Sequence, residues 1–247
     1  MPRTKKNDSV IAICIQEPTE DGSTMDLGPI KGDMLRFLHQ AFIYDTIGHA
    51  LDSKADVRLY YADKPDREKL ITIVAEYLRK KATGKRATAL QDRFETFKME
   101  PERWGLRIQE VFKHCFAAGY KHVLVIGSRT PTVKTSKMNR ALKMLKESDA
   151  VFGPTPEGRY YLIGMSNEYK VDLADYDWTS PSIYSEVANG FTEKELKWAE
   201  LEIWYCVEDS DQLEFMVRDI NQWRFEGDTT TAGETEVAME RLLSRME

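Results

Sequence analysis

The sequence predicts an α/β fold, with a mostly parallel or mixed sheet and helices on both faces. Three observations carry this. Short apolar runs of strand length alternate almost throughout with longer segments of helical periodicity. The central stretch Lys121–Ser166 reads strand, loop, helix, strand, which is a crossover unit. Within it, Val123–Ile126 is apolar at every position and stops at Gly127, as suits a strand covered on both faces.

Ser9–Gln16 is the first buried strand. Glu17–Gly32 is rich in Gly, Pro, Asp and Thr and reads as a long loop, of a length that is often functional or mobile. Asp33–Leu51 is a helix with a stripe of Leu35, Leu38, Phe42, Ile43 and Ile47. Asp56–Ala62 is a strand, and Asp66–Lys81 a helix with Leu70, Ile73, Val74, Tyr77 and Leu78 on one face. Lys80–Arg86 is a basic cluster, to be read either as a solvated loop or as a phosphate contact. Ala87–Lys98 fits no single pattern and has room for a short edge strand near Leu90. Pro101–Ala118 is the most periodic helix, and Gly119 closes it as a left-handed terminator.

After the central strand, Thr135 or Ser136 can cap a helix carrying Met138, Ala141, Leu142 and Leu145. Strands at Ala150–Gly153 and Arg159–Gly164 follow. Val10–Ile15, Val123–Ile126 and Ala150–Gly153 are expected to be neighbouring central strands. The run Thr179-Ser180-Pro181 opens a short helix, and Glu200–Val207 is a further strand. Asp209 with Gln212, and Thr231 with Glu234, match the capping-box spacing ahead of two more helices. No linker interrupts the pattern, so residues 1–247 are expected to form one domain, with 1–8 as a flexible tail.

Apolar residues make up 42% of the chain and charged residues 31%, ordinary values for a globular protein. The net charge of −6 argues against a general nucleic-acid binder, which carries a basic excess or stripe. Cys14, Cys115 and Cys206 lie far apart in apolar contexts and read as reduced core residues. No run has the length of a membrane span, and the basic N-terminus lacks a signal core, so a cytoplasmic enzyme-sized domain is expected. The histidines His39, His49, His114 and His122 form no ligand pair.

In open α/β sheets ligands bind outside the carboxyl ends of the strands, which makes the loops Gly127–Lys134 and Pro154–Arg159 the site candidates. Their sequences, VLVIGSRTP and DAVFGPTPEGRYYLIGM, carry Gly127, Ser128, Pro131, Gly153, Pro154, Gly158, Tyr160, Tyr161 and Gly164 in a distinctive order and spacing. This stretch resembles a family of GT-A-type transferases known as selenodomain-associated transferases, related to nucleotide-diphospho-sugar transferases and small nucleotidyltransferases. Weaker similarity at AFIYDT, Trp178-Thr179 and CVEDSDQL extends it over about Ser9–Ile220. The resemblance implies a single-domain GT-A/Rossmann-like fold and a nucleotide-sugar-dependent glycosyl or nucleotidyl transfer. It implies a nucleotide sugar or other phosphorylated small molecule as partner, with Mg²⁺ or Mn²⁺ as cofactor if the site is active.

The departures fall on the chemistry. Where the family has a metal- and diphosphate-holding acid after Gly-Ser, this chain has Arg129. The family's D-G-G run is Glu157-Gly158-Arg159, and its D-V-D run is Cys206-Val207-Glu208. Its basic phosphate loop is replaced by EPTEDGSTMDLGPIKG, in which only Lys31 is basic. An arginine cannot ligate a cation but can grip phosphate in a fork. Arg129 therefore has three readings: it replaces the metal, it binds another anion, or it pairs with Glu157 or Glu208 in an inactive site. Glu157 and Glu208 are the candidate catalytic carboxylates. Ser128, Arg129, Arg159, Tyr160 and Trp178 are the candidate substrate-binding residues, and no metal ligand is assigned. The alternative is a catalytically inactive ligand-binding or regulatory module on the same scaffold. Donor, acceptor and oligomeric state are not legible in the sequence.

Overall fold

The computed structural model describes residues 7–15, 25–62, 65–100, 103–168 and 170–246. In chain order the elements are β1 (Ser9–Cys14), α1 (Asp33–Asp52), β2 (Asp56–Ala62), α2 (Pro65–Lys81), α3 (Gly84–Arg93), β3 (Phe94–Met99), α4 (Trp104–Ala117) and β4 (His122–Gly127). Then come α5 (Thr135–Met144), β5 (Ala150–Pro154), β6 (Tyr160–Ser166), α6 (Ile183–Glu193), β7 (Trp198–Glu200), α7 (Ser210–Phe225) and α8 (Gly233–Met246). The expected flexible tail falls mainly on residues 1–6, outside the described residues. Asn7 and Asp8 are tied down: the Asn7 amide donates to Asp56 Oδ1, and Asp8 O accepts from the backbone of Lys121 and His122.

The strands form one seven-stranded sheet in the order β3-β2-β1-β4-β6-β5-β7. Only β6 runs against its neighbours; β1 pairs in parallel with β2 and β4, β2 with β3, and β5 with β7. The α/β fold with a mixed sheet is thus as the sequence predicts. Successive residues of β1 alternate between two cores. Ile11 and Ile13 face helices α1, α2 and α5, while Val10, Ala12 and Cys14 face α4 and α6. Val10, Ile11 and Ile13, fully buried, each contribute about 1.5–3 kcal/mol. A third apolar cluster packs α7 and α8 on the start of α1 and on Met25, Leu27 and Ile30.

Several expectations need correcting. Ala150–Gly153 does not adjoin the central strand β4, because β6 lies between them. The cause is the short connection 155–159, which can join β5 to β6 only as an antiparallel pair. The ambiguous 87–98 region resolves into helix to Arg93, then a strand in which Phe97 stacks on Tyr60. Glu200–Val207 keeps its ladder only to Glu200. Beyond it the chain crosses the carboxyl edge of the sheet on single bonds, from Leu201 N to Phe152 O, Trp204 N to Pro154 O and Val207 N to Arg129 O.

The caps divide in the same way. Asp209 and Gln212 form a complete capping box. Gly119, at φ 91°, completes the turn after α4, with Gly119 N bonded to Phe116 O and Tyr120 N to Cys115 O. Helix α5 has Lys134 at its N-cap with no side-chain bond, and the Thr135 hydroxyl donates instead to His49 O. The Thr231–Glu234 box does not form; Asp45 of α1 accepts from the Glu234 and Thr235 amides in its place.

Candidate functional site

One pocket lies at the carboxyl end of the sheet. Its wall from the strand ends comprises Gly127 and Arg129 after β4; Thr155, Glu157 and Arg159 between β5 and β6; and Tyr160 and Tyr161 of β6. The crossing segment supplies Cys206 and Glu208, and the first turn of α7 supplies Gln212. Trp104 and Arg107 of α4, with Trp178 and Thr179, close the other side. Arg129 and Glu157 therefore meet at one end of the sheet, as the loop positions predict.

The centre of the pocket is an ion triad. Glu208 accepts from Arg129 Nη1 through Oε1 at 3.4 Å, and Arg159 Nη1 meets its Oε2 at 2.5 Å. The Arg129 side chain is 1% exposed, that of Arg159 28% and that of Glu208 19%, so charge sits inside as well as at the mouth. Burial pulls the Arg129 pKa down from its ordinary value, and Glu208 pulls it back up. The crossing segment holds this geometry through the Val207 N to Arg129 O bond, which ties the two residues' backbones together.

The capping box reaches into the site. Gln212 Oε1 accepts from the backbone of Glu208 and Asp209, while its Nε2 donates to Glu157 Oε1 at 3.2 Å. One side chain thus fixes the backbone behind one candidate carboxylate and holds the other. The aromatic wall is locked too. Trp178 donates its indole N–H to Leu173 O at 2.8 Å and sets its ring edge on Tyr160, whose hydroxyl accepts from Trp104 Nε1. Burial pushes the Tyr160 hydroxyl well above the usual phenol range, which keeps it protonated.

Six of the seven sequence-derived site residues line this pocket: Glu157, Glu208, Arg129, Arg159, Tyr160 and Trp178. Ser128 points elsewhere. It is fully buried and its hydroxyl is hydrogen-bonded with His39 Nε2 of α1 at 2.9 Å. Burial and the neighbouring Arg129 lower the His39 pKa to about 3, so the ring is neutral. Residues that sequence reasoning passed over are Arg107, Cys206 and Gln212 as pocket groups, and His39 as the partner of Ser128 behind the pocket. Arg107 left a trace: it shares the apolar stripe of α4 at the spacing Trp104, Arg107, Ile108, Val111, where a charge is out of place.

Of the expected long loop Glu17–Gly32, residues 17–24 lie outside the described residues. The part from Met25 packs on α7 and α1, and Asp26 N donates to Glu208 O at 2.8 Å, beside the site. The basic cluster near Gly84 makes ion pairs remote from the triad: Arg86 grips Asp52 with two nitrogens, and Lys81 meets Glu234 at 4.0 Å. Hard cations need several oxygen ligands. Among the described residues no group of three or more His, Cys, Asp or Glu could hold a metal ion. Both oxygens of Glu208 face guanidinium groups, so the donor set does not fit a divalent cation.

Residues 51–180 match the family model described as "uncharacterized protein conserved in bacteria (DUF2064)". The chain belongs to this family. No curated protein matches it. Among solved structures, this DUF2064 member is similar to a "putative nucleotide-diphospho-sugar transferase" from Desulfovibrio desulfuricans G20, with 22% identity, TM-score 0.73, and 95% of this chain and 97% of that one covered. It is also similar to a 4-diphosphocytidyl-2C-methyl-D-erythritol synthase, at 10% identity, TM-score 0.51 and coverage of 87% and 98%. A homologue of Mycobacterium tuberculosis Rv0371c from Mycobacterium sp. strain JC1 follows at 10%, 0.50 and coverage of 89% and 100%. At these identities the likeness establishes the fold. No helix among the described residues is long and apolar enough to cross a membrane.

Proposed function

We propose that this protein is a GT-A-type transferase that takes a nucleotide sugar or related nucleotide, and that Arg129 and Arg159 do the work otherwise given to a metal. The observation that carries this is the pair of guanidinium groups converging on one oxyanion, Glu208, beside an aromatic wall at the carboxyl end of the sheet. A diphosphate leaving group needs its developing charge neutralised, and fixed guanidiniums supply that without a cation. In glycosyl transfer the acceptor hydroxyl attacks the sugar's anomeric carbon while the bond to the diphosphate oxygen breaks. The leaving diphosphate keeps the electron pair. Glu157, held by a neutral amide rather than by a cation, is assigned as the base that takes the hydroxyl proton. Trp178 and Tyr160 would bound the base or sugar.

Thermal-shift and calorimetric titration with nucleoside diphosphates and nucleotide sugars in EDTA tests this. Stabilisation without metal, lost in Arg159→Gln, is expected; stabilisation that appears only with Mn²⁺ or Mg²⁺ would return the chain to metal-dependent transfer. A second reading, ligand binding without transfer, is favoured by one observation. Arg129 and Arg159 are both already paired with a carboxylate of the chain itself, Glu208. Binding with no diphosphate release over a panel of acceptors, unaffected by Glu157→Gln, would select it.

A further inference from the structure

The triad has a consequence for how any anion enters. A carboxylate presents two oxygens on one carbon, and a phosphoryl group presents similar oxygens on one phosphorus. Glu208 offers one oxygen to each arginine, Oε1 to Arg129 and Oε2 to Arg159. The place between the two guanidiniums is therefore already filled, by an oxyanion belonging to the chain itself. We infer that Glu208 is an internal stand-in for the ligand, a carboxylate that occupies the phosphoryl seat until a diphosphate displaces it. This rests on the transferase reading for the ligand's class, but the displacement itself is a separate claim.

The surroundings allow the exchange. Arg159 is the more exposed of the two arginines and sits in the hairpin loop 155–159. Glu208 lies in the segment 201–208, where isolated backbone bonds replace a ladder. Arg129 is buried and held through the Val207 N to Arg129 O bond, so it is the fixed half of the seat. Displaced, Glu208 would turn toward the mouth of the pocket, where 19% of its side chain is already exposed. Such a device keeps a buried guanidinium neutralised when no ligand is bound. It also discriminates by charge: a ligand must be a stronger partner than one carboxylate, which favours a diphosphate over a neutral sugar or a single carboxylic acid.

The experiment is calorimetric titration, in EDTA, of the unmodified protein, Glu208→Gln and Glu208→Asp with inorganic pyrophosphate and, separately, with nucleoside diphosphates. Glu208→Gln removes the competing charge and keeps the shape, so pyrophosphate should bind at least about tenfold tighter than to the unmodified protein. Glu208→Asp keeps the charge but shortens the reach, and should fall between the two. It also keeps the test alive if Glu208→Gln fails to fold. Without anion, Glu208→Gln should melt lower than the unmodified protein, and pyrophosphate should restore more of its melting temperature than it adds to the unmodified chain. Equal or weaker pyrophosphate binding by both variants would overturn the inference, as would no binding by any form. Tighter pyrophosphate binding without nucleoside diphosphate binding would uphold the stand-in and sink the nucleotide reading. Nucleoside diphosphate binding that is the same in all three proteins would do the reverse.

Discussion

Arg129 shows how much one residue can reorganise a site. A guanidinium 1% exposed must be matched by charge, and Glu208 is the carboxylate that matches it. Removing one member of a buried pair costs about 3–5 kcal/mol, less where a partner is partly exposed as Glu208 is. Glu208→Ala is therefore expected to lower the unfolding free energy by about 2–3 kcal/mol. Adding Arg129→Met should restore most of it. Urea unfolding of the four proteins of this cycle measures the coupling, and strictly additive losses would show that the two residues act independently. A second residue-scale prediction concerns pH. His39 stays neutral in the folded protein to about pH 3, whereas in the unfolded chain it protonates near 6.5. The unfolded state thus binds the extra proton, and stability falls as pH drops below about 6.5 and goes on falling to about 3. The contribution is about 2 kcal/mol by about pH 5. His49, lowered to about 4, acts in the same sense. Asp45, raised to about 6 by burial, acts in the opposite one. His39→Gln, compared with the unmodified protein across this range, isolates the first contribution; parallel stability profiles for the two would contradict it.

Among the elements, α8 depends on a cap from another helix. Asp45 of α1 accepts from Glu234 N at 3.1 Å and Thr235 N at 2.8 Å, satisfying two of the amides that a helix start leaves over. Asp45→Ala should cost about 1–2 kcal/mol. It should also open α8 to limited proteolysis before the sheet unfolds. Unchanged proteolysis of the C-terminal helix would mean that packing alone holds it. By contrast the box of Asp209 and Gln212 is local, with both partners within one turn. That difference explains what the sequence made legible. A capping box is a spacing of three and can be recognised by eye, whereas Asp45 and Thr235 are 190 positions apart and look unrelated until the fold joins them. The same holds for the strands. Val123–Ile126 announces itself by four consecutive apolar residues, but segment 201–208, with an equally apolar run Ile203–Val207, forms no ladder beyond Glu200.

At the scale of the molecule, the pocket depends on how the 155–159 hairpin docks against the segment before α6. Gly158 lies at φ 74°, and a Cβ there would come within 2.0 Å of Pro181 O, while Gly158 O accepts from Tyr184 N. Gly158→Ala combines the left-handed backbone penalty, about 1–2 kcal/mol, with a backbone clash. We expect a loss above about 2 kcal/mol and weaker ligand binding, since Glu157 and Arg159 flank the glycine. Denaturant unfolding together with calorimetry checks both, and retained affinity in a destabilised protein would separate the loop's docking from the site.

The sequence by itself determined the class of fold, the strands with continuous apolar runs, the Asp209–Gln212 capping box, the Gly119 terminator, and the pair of loops that line the pocket. All of these are short-range consequences of periodicity, turn chemistry and the rule that ligands sit at carboxyl ends of strands. It also placed Arg129, Arg159, Glu157 and Glu208 near one another by way of the family resemblance, but left open which carboxylate Arg129 meets. Only the tertiary structure decided that. The choice of Glu208 follows from the crossing of segment 201–208 over the sheet edge, fixed by Val207 N on Arg129 O. The insertion of β6 between β4 and β5, the sinking of Ser128 onto His39 and the entry of Arg107 into the pocket were decided there too. Each depends on which distant groups share a buried space, and burial, with the electrostatics it imposes, exists only once the chain has folded.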